Sequence, residues 1–242
     1  MQAEEQVTII SDGLEQHETA RQPNPTELEQ EDVEGLMFAD FADEEVESQK
    51  KPIKVKLLKI PFSIQSLVGG AMRDYEMIKD GDRVLVALSG GKDSLALVHI
   101  LRHFQSVAPI KFDIGAVTVD PMVVEYQPRP LIPYMASLGV PYFLESDALV
   151  ERARISMQKN SICSFCSRMK RGMIYSCARR EGYNVIAMGQ HLDDLAESFV
   201  MSSFHNGQLR TMKANYTIDK GDLRVIRPLV TCREKLFKDF SD

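Results

Sequence analysis

The chain has 242 residues, 44% of them apolar, and a net charge of −6. That length suits one sizeable α/β domain plus an appendage and is too short for two large domains. No run approaches the roughly 18 consecutive apolar residues of a membrane span. The acidic start Met1-Gln2-Ala3-Glu4-Glu5 is unlike a secretory signal or a transit peptide. No membrane association is expected, and the expected location is the cytoplasm.

Charge divides the chain unevenly. Residues 1–50 carry fifteen acidic side chains against Arg21 and Lys50, a local charge of −13, which leaves +7 for residues 51–242. The acidic stretch has few large apolar residues outside Leu36-Met37-Phe38 and Phe41, too few to offset the entropy of ordering it. Residues 1–55 are therefore expected as a disordered tail, and 56–242 as the folded domain. A basic globular part suits a polyanion such as RNA, although +7 also fits an ordinary solvated surface.

In chain order, Gly70–Lys79 is expected as a helix and Arg83–Leu88 as a buried strand. Leu95, Leu97, Val98, Leu101 and Phe104 then recur at helical spacing from Asp93 onward. Phe112–Val119 is a second strand, a helix follows around Leu131–Leu138, and Tyr142–Glu145 is a third strand. Residues 167–181 are expected as a helix, Asn184–Met188 as a strand, and Asp193–Phe204 as a helix. Asp219-Lys220-Gly221-Asp222 turns a hairpin between Lys213–Ile218 and Leu223–Ile226. This alternation implies an α/β fold, a parallel sheet with helices on both faces.

The first strand runs into Ser89-Gly90-Gly91-Lys92-Asp93-Ser94 and then a helix. Adjacent glycines let backbone N–H groups approach phosphate oxygens, and the helix N-terminus turns partial positive charge on the same anion. Lys92 adds a full charge, Ser89 and Ser94 can donate hydrogen bonds, and Asp93 can hold Mg²⁺ or cap the helix. A Walker loop is excluded, because Val86 stands where its first glycine belongs and Asp93 where its Ser or Thr belongs. Asp120, at the end of the second strand, faces the same crevice by topology.

All four cysteines follow residue 160, which does not suit a disulfide framework. Cys163-x-x-Cys166 with Cys232 can make a three-thiolate site for zinc or for an iron–sulfur cluster with an open iron, or the pair can be a redox dithiol. Cys177, on an apolar-rich helix, reads as an inert buried thiol. Gly189-Gln190-His191-Leu192-Asp193-Asp194 opens a helix at a strand's carboxyl end. There carboxylates can hold Mg²⁺ and His191 can touch nucleotide or move a proton, or the acids can simply cap the helix.

Ser-Gly-Gly-x-Asp-Ser after a strand resembles the PP-loop of ATP pyrophosphatases. More broadly, the chain from about Gly70 to Lys235 resembles the TtcA family of tRNA 2-thiocytidine synthetases. It does so in Leu88–Ser94, in Cys163-Ser164-x-Cys166-Ser167-Arg168 with Arg171-Gly172, in Gly189-x-His191-x-Asp193-Asp194, and in Ile226-Arg227-Pro228-Leu229 with Cys232-Arg233-Glu234-Lys235.

The resemblance implies a PP-loop fold, ATP with Mg²⁺, and a [4Fe–4S] cluster on Cys163, Cys166 and Cys232. It implies adenylation of the C2 oxygen of a tRNA cytidine and its replacement by sulfur, with Lys92, Asp93 and the three cysteines catalytic. Ser89, Gly90, Gly91, Lys92, Asp93, Ser94, Asp120, Gly189, His191 and Asp194 are the expected nucleotide contacts. tRNA and a cysteine desulfurase are the expected partners, and a homodimer is allowed. Arg168, Lys170, Arg171, Arg179 and Arg180 would face RNA, or form a solvated helix face.

Position 190 is Gln where the family usually has His, the chain stops at Asp242 where the family usually continues with a Cys-bearing segment, and the acidic tail is extra. Two alternatives stay open. One is another PP-loop tRNA modifier, 2-thiouridine-forming or lysidine-synthetase-like; the other is a non-catalytic RNA- or metal-binding relative.

Overall fold

Val84, Leu85 and Val86 are all fully buried, so the strand they occupy must be covered on both faces. This strand, β1 (Arg83–Ala87), lies near the middle of a six-stranded sheet in a computed structural model that describes residues 58–156 and 162–241. The expected acidic tail lies outside the described residues.

The elements follow in order: α1 (Phe62–Asp74), β1, α2 (Lys92–Val107), β2 (Asp113–Asp120), α3 (Leu131–Ser137), β3 (Tyr142–Ser146) and α4 (Leu149–Ser156). Then come α5 (Ile162–Arg180), β4 (Val185–Ala187), α6 (Leu192–Asn206), β5 (Asn215–Thr217), β6 (Arg224–Ile226) and α7 (Glu234–Ser241). The sheet order is β3-β2-β1-β4-β6-β5, parallel throughout except for β5, which pairs antiparallel with β6 as the expected hairpin. The chain moves outward from β1 through β2 to β3 and then returns to the other side of β1 as β4. The β1/β4 boundary is therefore the switch point where α/β sheets open a ligand crevice.

Alternation along the strands separates two apolar layers. Val84, Val86, Val185, Ala187 and Ile226 point to a core shared with α1, α2, α3 and α7. Leu85, Val117, Ile186 and Val225 point to a smaller core capped by Cys177 and Ala178 of α5. At the opposite end of the sheet from the crevice, the buried Asp82 carboxylate accepts hydrogen bonds from Lys79 N (2.7 Å) and Asn184 Nδ2 (2.8 Å) and pairs with Arg224. That joint ties β1, β4 and β6 into one register.

Two helices begin well before their expected starts. The first helix begins at Phe62, immediately after Pro61, and not at Gly70. Ile64, Val68 and Ala71 form its buried stripe, and the left-handed backbone of Glu76 (φ 48°) follows its end. The helix expected at 167–181 starts five residues earlier, so both cysteines of the C-x-x-C pair lie in its first turns. Helices α4 and α7, short and amphipathic, were not expected.

Gly115 in β2 has a steric reason to be glycine, since a Cβ there would collide with the Tyr183 hydroxyl. Tyr183 is buried, edge-on to Phe143 and under the Arg83 guanidinium, so it has little room to retreat. Gly115→Ala is expected to destabilise the fold by about 1–3 kcal/mol, the range for overpacking a core, read as a lower denaturant midpoint.

Candidate active site

The loop after β1 holds its shape through its own side chains. Gly90 sits at φ +83°, a conformation L side chains rarely adopt. Ser94 Oγ donates to Gly91 O (2.9 Å), Ser89 N donates to Ser94 Oγ (3.2 Å), and Gly91 N donates to Ser89 Oγ (3.3 Å). From the next loop, Tyr126 Oη donates to Ser89 O (2.9 Å). No side chain caps α2. Its first-turn N–H groups are therefore positioned for an anion, as a phosphate site requires.

Across the switch point, Gly189 lets the end of β4 approach this helix start. A Cβ on it would lie 3.3 Å from both N and Cα of Ser94. Between the two strand ends lies a cavity of about 300 Å³, lined by Ala87, Ser89, Gly91, Asp93, Ser94, Met188, Gly189 and Gln190. A second cavity of about 150 Å³ continues on the other side of Ser89, toward β2 and α5, past Val117, Val119, Tyr126, Lys170 and Ile174. Ser89 thus divides a chamber ringed by Ser, Gly, Asp and Gln from a more apolar one, a layout that suits the phosphates and the base of a nucleotide.

Charges around the loop form one network. Lys92 Nζ donates to Glu234 Oε1 at the start of α7 (2.8 Å) and to Asp93 Oδ2 (3.2 Å). The bond to Glu234 is the main reason the Lys92 ammonium titrates above its ordinary range, and Lys92 in turn holds the Glu234 carboxyl low. Glu234 N donates to Asp193 Oδ2 (2.7 Å), and Arg233 Nε pairs with Asp193 Oδ1 (2.8 Å). The backbone bond from Glu234 is the largest influence holding the Asp193 carboxyl below its usual range, and the Arg233 guanidinium adds to it. Asp93 Oδ1 is buried without a hydrogen-bond partner.

Several expected contacts have other work. His191 and Asp194 form a capping box at the start of α6: His191 N donates to Asp194 Oδ2 (2.8 Å) and Asp194 N to His191 Nδ1 (3.4 Å). His191 is buried and stacks on Phe237. Gln190, held by Arg227 Nε (3.0 Å), reaches the cavity instead, and it also borders a wider cavity of about 700 Å³ along α6 that Asp194 helps to line. Asp120 accepts from Met122 N (2.8 Å) and so stabilises its own turn. Among the basic residues of α5, Arg179 pairs with Asp222, and Arg180 with Glu145 and Glu181. Arg168 and Arg171 instead line an open cavity of about 390 Å³ with Tyr175 and Tyr216.

The three cysteines expected as cluster ligands sit on two segments, α5 and the stretch after β6. Cys163 and Cys166 lie three residues apart on α5, hence on one helix face, with Cys163 exposed and Cys166 half-buried. Cys232 is fully buried in the other core, on the α2 and α7 face of the sheet, where burial pushes its thiol up to about 11. Among the described residues, no three His, Cys, Asp or Glu side chains stand close enough to share a metal. Cys163 and Cys166 together offer two of the thiolates that a [4Fe–4S] cluster takes. Cys177 is buried, and burial likewise raises its thiol to about 11.

A family model described as a PP-loop domain matches residues 63–241. A tRNA-cytidine(32) 2-sulfurtransferase of Pseudomonas entomophila is 40% identical over 191 residues, covering 78% of this chain and 70% of the relative. The protein of the same name from Pseudomonas syringae pv. tomato matches to the same extent. This chain belongs to the PP-loop family of tRNA-cytidine 2-sulfurtransferases. The fold agrees: the U34-tRNA thiolase NcsA from Methanococcus maripaludis, solved with its [4Fe–4S] cluster, superposes with a TM-score of 0.58 at 20% identity, covering 74% of this chain and 62% of that one. As in other PP-loop proteins, the Ser89–Ser94 loop is the expected seat of ATP. No helix among the described residues is long and apolar enough to cross a membrane.

Sequence reasoning missed Glu234 and Tyr126. Arg233-Glu234 was visible as part of a motif, but nothing in its spacing shows that Glu234 meets a lysine 142 positions earlier.

Proposed function

We propose that the chain is an ATP-dependent tRNA-cytidine 2-sulfurtransferase, acting on cytidine 32 as its curated relatives are named to do. The observation that carries this reading is the cavity in which the glycine-rich loop and Gly189-Gln190 meet across the β1/β4 switch point. Phosphates would lie on the first-turn N–H groups of α2, with adenosine reaching past Ser89 toward Val117, Val119 and Tyr126. Mg²⁺ bound through phosphates needs only one or two carboxylates. The unpartnered Asp93 Oδ1 supplies one.

The chemistry is a double displacement. The C2 oxygen of the cytosine attacks the α-phosphorus, a P–O bond to the base forms, and the α–β bond breaks with loss of pyrophosphate. A desulfurase passes on cysteine sulfur as a persulfide, a thiol reductant supplies the two electrons that release it as hydrosulfide (the thiol becoming disulfide), and this sulfur then attacks C2. The C2–O bond breaks and AMP leaves with the original oxygen. Adenylation is needed because the oxygen of a urea-like carbonyl is otherwise a poor leaving group. The loop's N–H groups and Lys92 would stabilise charge developing on the departing pyrophosphate. Cys163 and Cys166, at the start of α5, would be the iron-binding pair.

Protein purified anaerobically and supplied with ATP, Mg²⁺, cysteine, a desulfurase, a thiol reductant and tRNA should release AMP and yield 2-thiocytidine by nucleoside mass spectrometry. Cys163→Ser should abolish thiolation and lower bound iron while leaving ATP affinity within about twofold, because the pair is separate from the phosphate loop. Cys177→Ser, at a buried thiol outside the pair, should retain iron. Formation of 2-thiouridine, or no AMP release with any tRNA, would overturn the reading.

A further inference from the structure

Lys92 is the strongest cation of the phosphate loop, yet its ammonium is already engaged. Glu234 Oε1 takes it at 2.8 Å and Asp93 Oδ2 at 3.2 Å. Asp93 lines the phosphate cavity, while Glu234 comes from α7, which packs against α2 on the outer layer. Lys92 and Glu234 are each about one-third exposed (31% and 37%), so the pair is strong enough to orient a side chain and weak enough to exchange.

Glu234 is itself firmly placed. Its N–H donates to Asp193 Oδ2 at 2.7 Å, and the same carboxylate holds neighbouring Arg233 at 2.8 Å. Asp193 lies in the first turn of α6, directly after the β4 end that forms the far wall of the cavity. The loop lysine is thus joined to the opposite wall through two residues. Glu234 also has a second cation one helical turn away, Lys238 Nζ at 3.5 Å, so it keeps a counter-ion if Lys92 leaves.

We propose that Glu234 is a positioning residue for the reaction: it holds Lys92 in the nucleotide-free loop and yields it to the ATP phosphates, while its own charge passes to Lys238. This deepens the functional reading above and rests on it, because the exchange has meaning only if phosphates enter the loop. Glu234 acts as a built-in competitor for Lys92. It keeps an uncompensated ammonium from trapping other anions, and its release accompanies occupation of the site. A double charge on the incoming phosphate wins the competition through its higher charge and the additional N–H donors of the loop.

The test is calorimetric titration of the full chain with a non-hydrolysable ATP analogue and Mg²⁺. Glu234→Gln preserves shape and the backbone bond to Asp193 while removing the competing charge. It should bind the analogue about two- to fivefold more tightly, the span of a partly exposed ion pair. In a Lys92→Met background the same substitution should change nothing, a dependence that a merely structural role would not show. Lys238→Gln, at an exposed position, should act in the opposite direction, because Glu234 then has less reason to release Lys92; this arm stands even if Glu234→Gln folds poorly.

Unchanged or weaker binding by a folded Glu234→Gln, an equal effect with and without Lys92, or tighter binding by Lys238→Gln would overturn the proposal. If the wild-type chain binds no analogue at all, the ATP-dependent function falls as well. If the wild type binds and the variants do not behave as stated, only the role of Glu234 falls.

Discussion

Lys92→Ala should lower AMP release by about 10²–10³-fold, the loss typical of removing one preorganised group at a developing charge. Lys92 is the only full positive charge within Ser89–Ser94. The loop should survive the change, because its shape depends on the Ser89, Gly91 and Ser94 hydrogen bonds and on Tyr126. Iron bound through Cys163 and Cys166 should be unaffected, since those residues open α5, which packs on the other face of the sheet from α2. Measuring AMP release and iron content on the same preparation separates the two. Undiminished AMP formation would mean the loop does not hold the reacting phosphates.

Gly189→Ala should weaken nucleotide binding by about tenfold, from an overpacking cost of ~1–3 kcal/mol. The new methyl group would stand 3.3 Å from Ser94 N and Cα, and these are backbone atoms that cannot rotate aside. To make room, the start of α2 must move by a few tenths of an ångström, which disturbs both the N–H groups facing the phosphates and the Ser94 hydroxyl that braces the loop. Titration of the folded variant with an ATP analogue reads the loss, and the same overpacking should lower the thermal midpoint of the nucleotide-free chain. Affinity equal to wild type would show that the β4 end does not confine the nucleotide.

What the sequence disclosed depended on whether a signal was local. The strand, glycine pair and helix at Val84–Phe104 were legible because apolar run, turn and helical spacing are contiguous there, and the parallel sheet followed from their alternation with later elements. The start of α1 was misplaced because Gly69-Gly70 reads as a boundary, whereas Gly69 lies in mid-helix, where a Cβ would stand 3.3 Å from the Phe104 ring. The partner of Lys92 was not legible, as Glu234 reaches it only through the packing of α7 on α2.

Cys232 was legible in the sequence as a third thiolate, while the core layer it joins, that of Val84 and Ile226, is set by packing after β6 and was not. His191 and Asp194 were correctly singled out as a motif at a strand end. In the structure their hydrogen bonds begin α6, the capping role weighed beside the catalytic one, and the neighbouring Gln190 faces the cavity.

The order of strands also bears on synthesis. Arg83 N is bonded to the side chain of Asn184, 101 residues further along, at the junction that brings β4 beside β1. While the ribosome is still making the intervening residues, the phosphate-cradling half lacks its opposite wall. A nascent chain in that interval would have no competent site with which to consume cellular ATP, and activity would switch on only when the later strand is inserted.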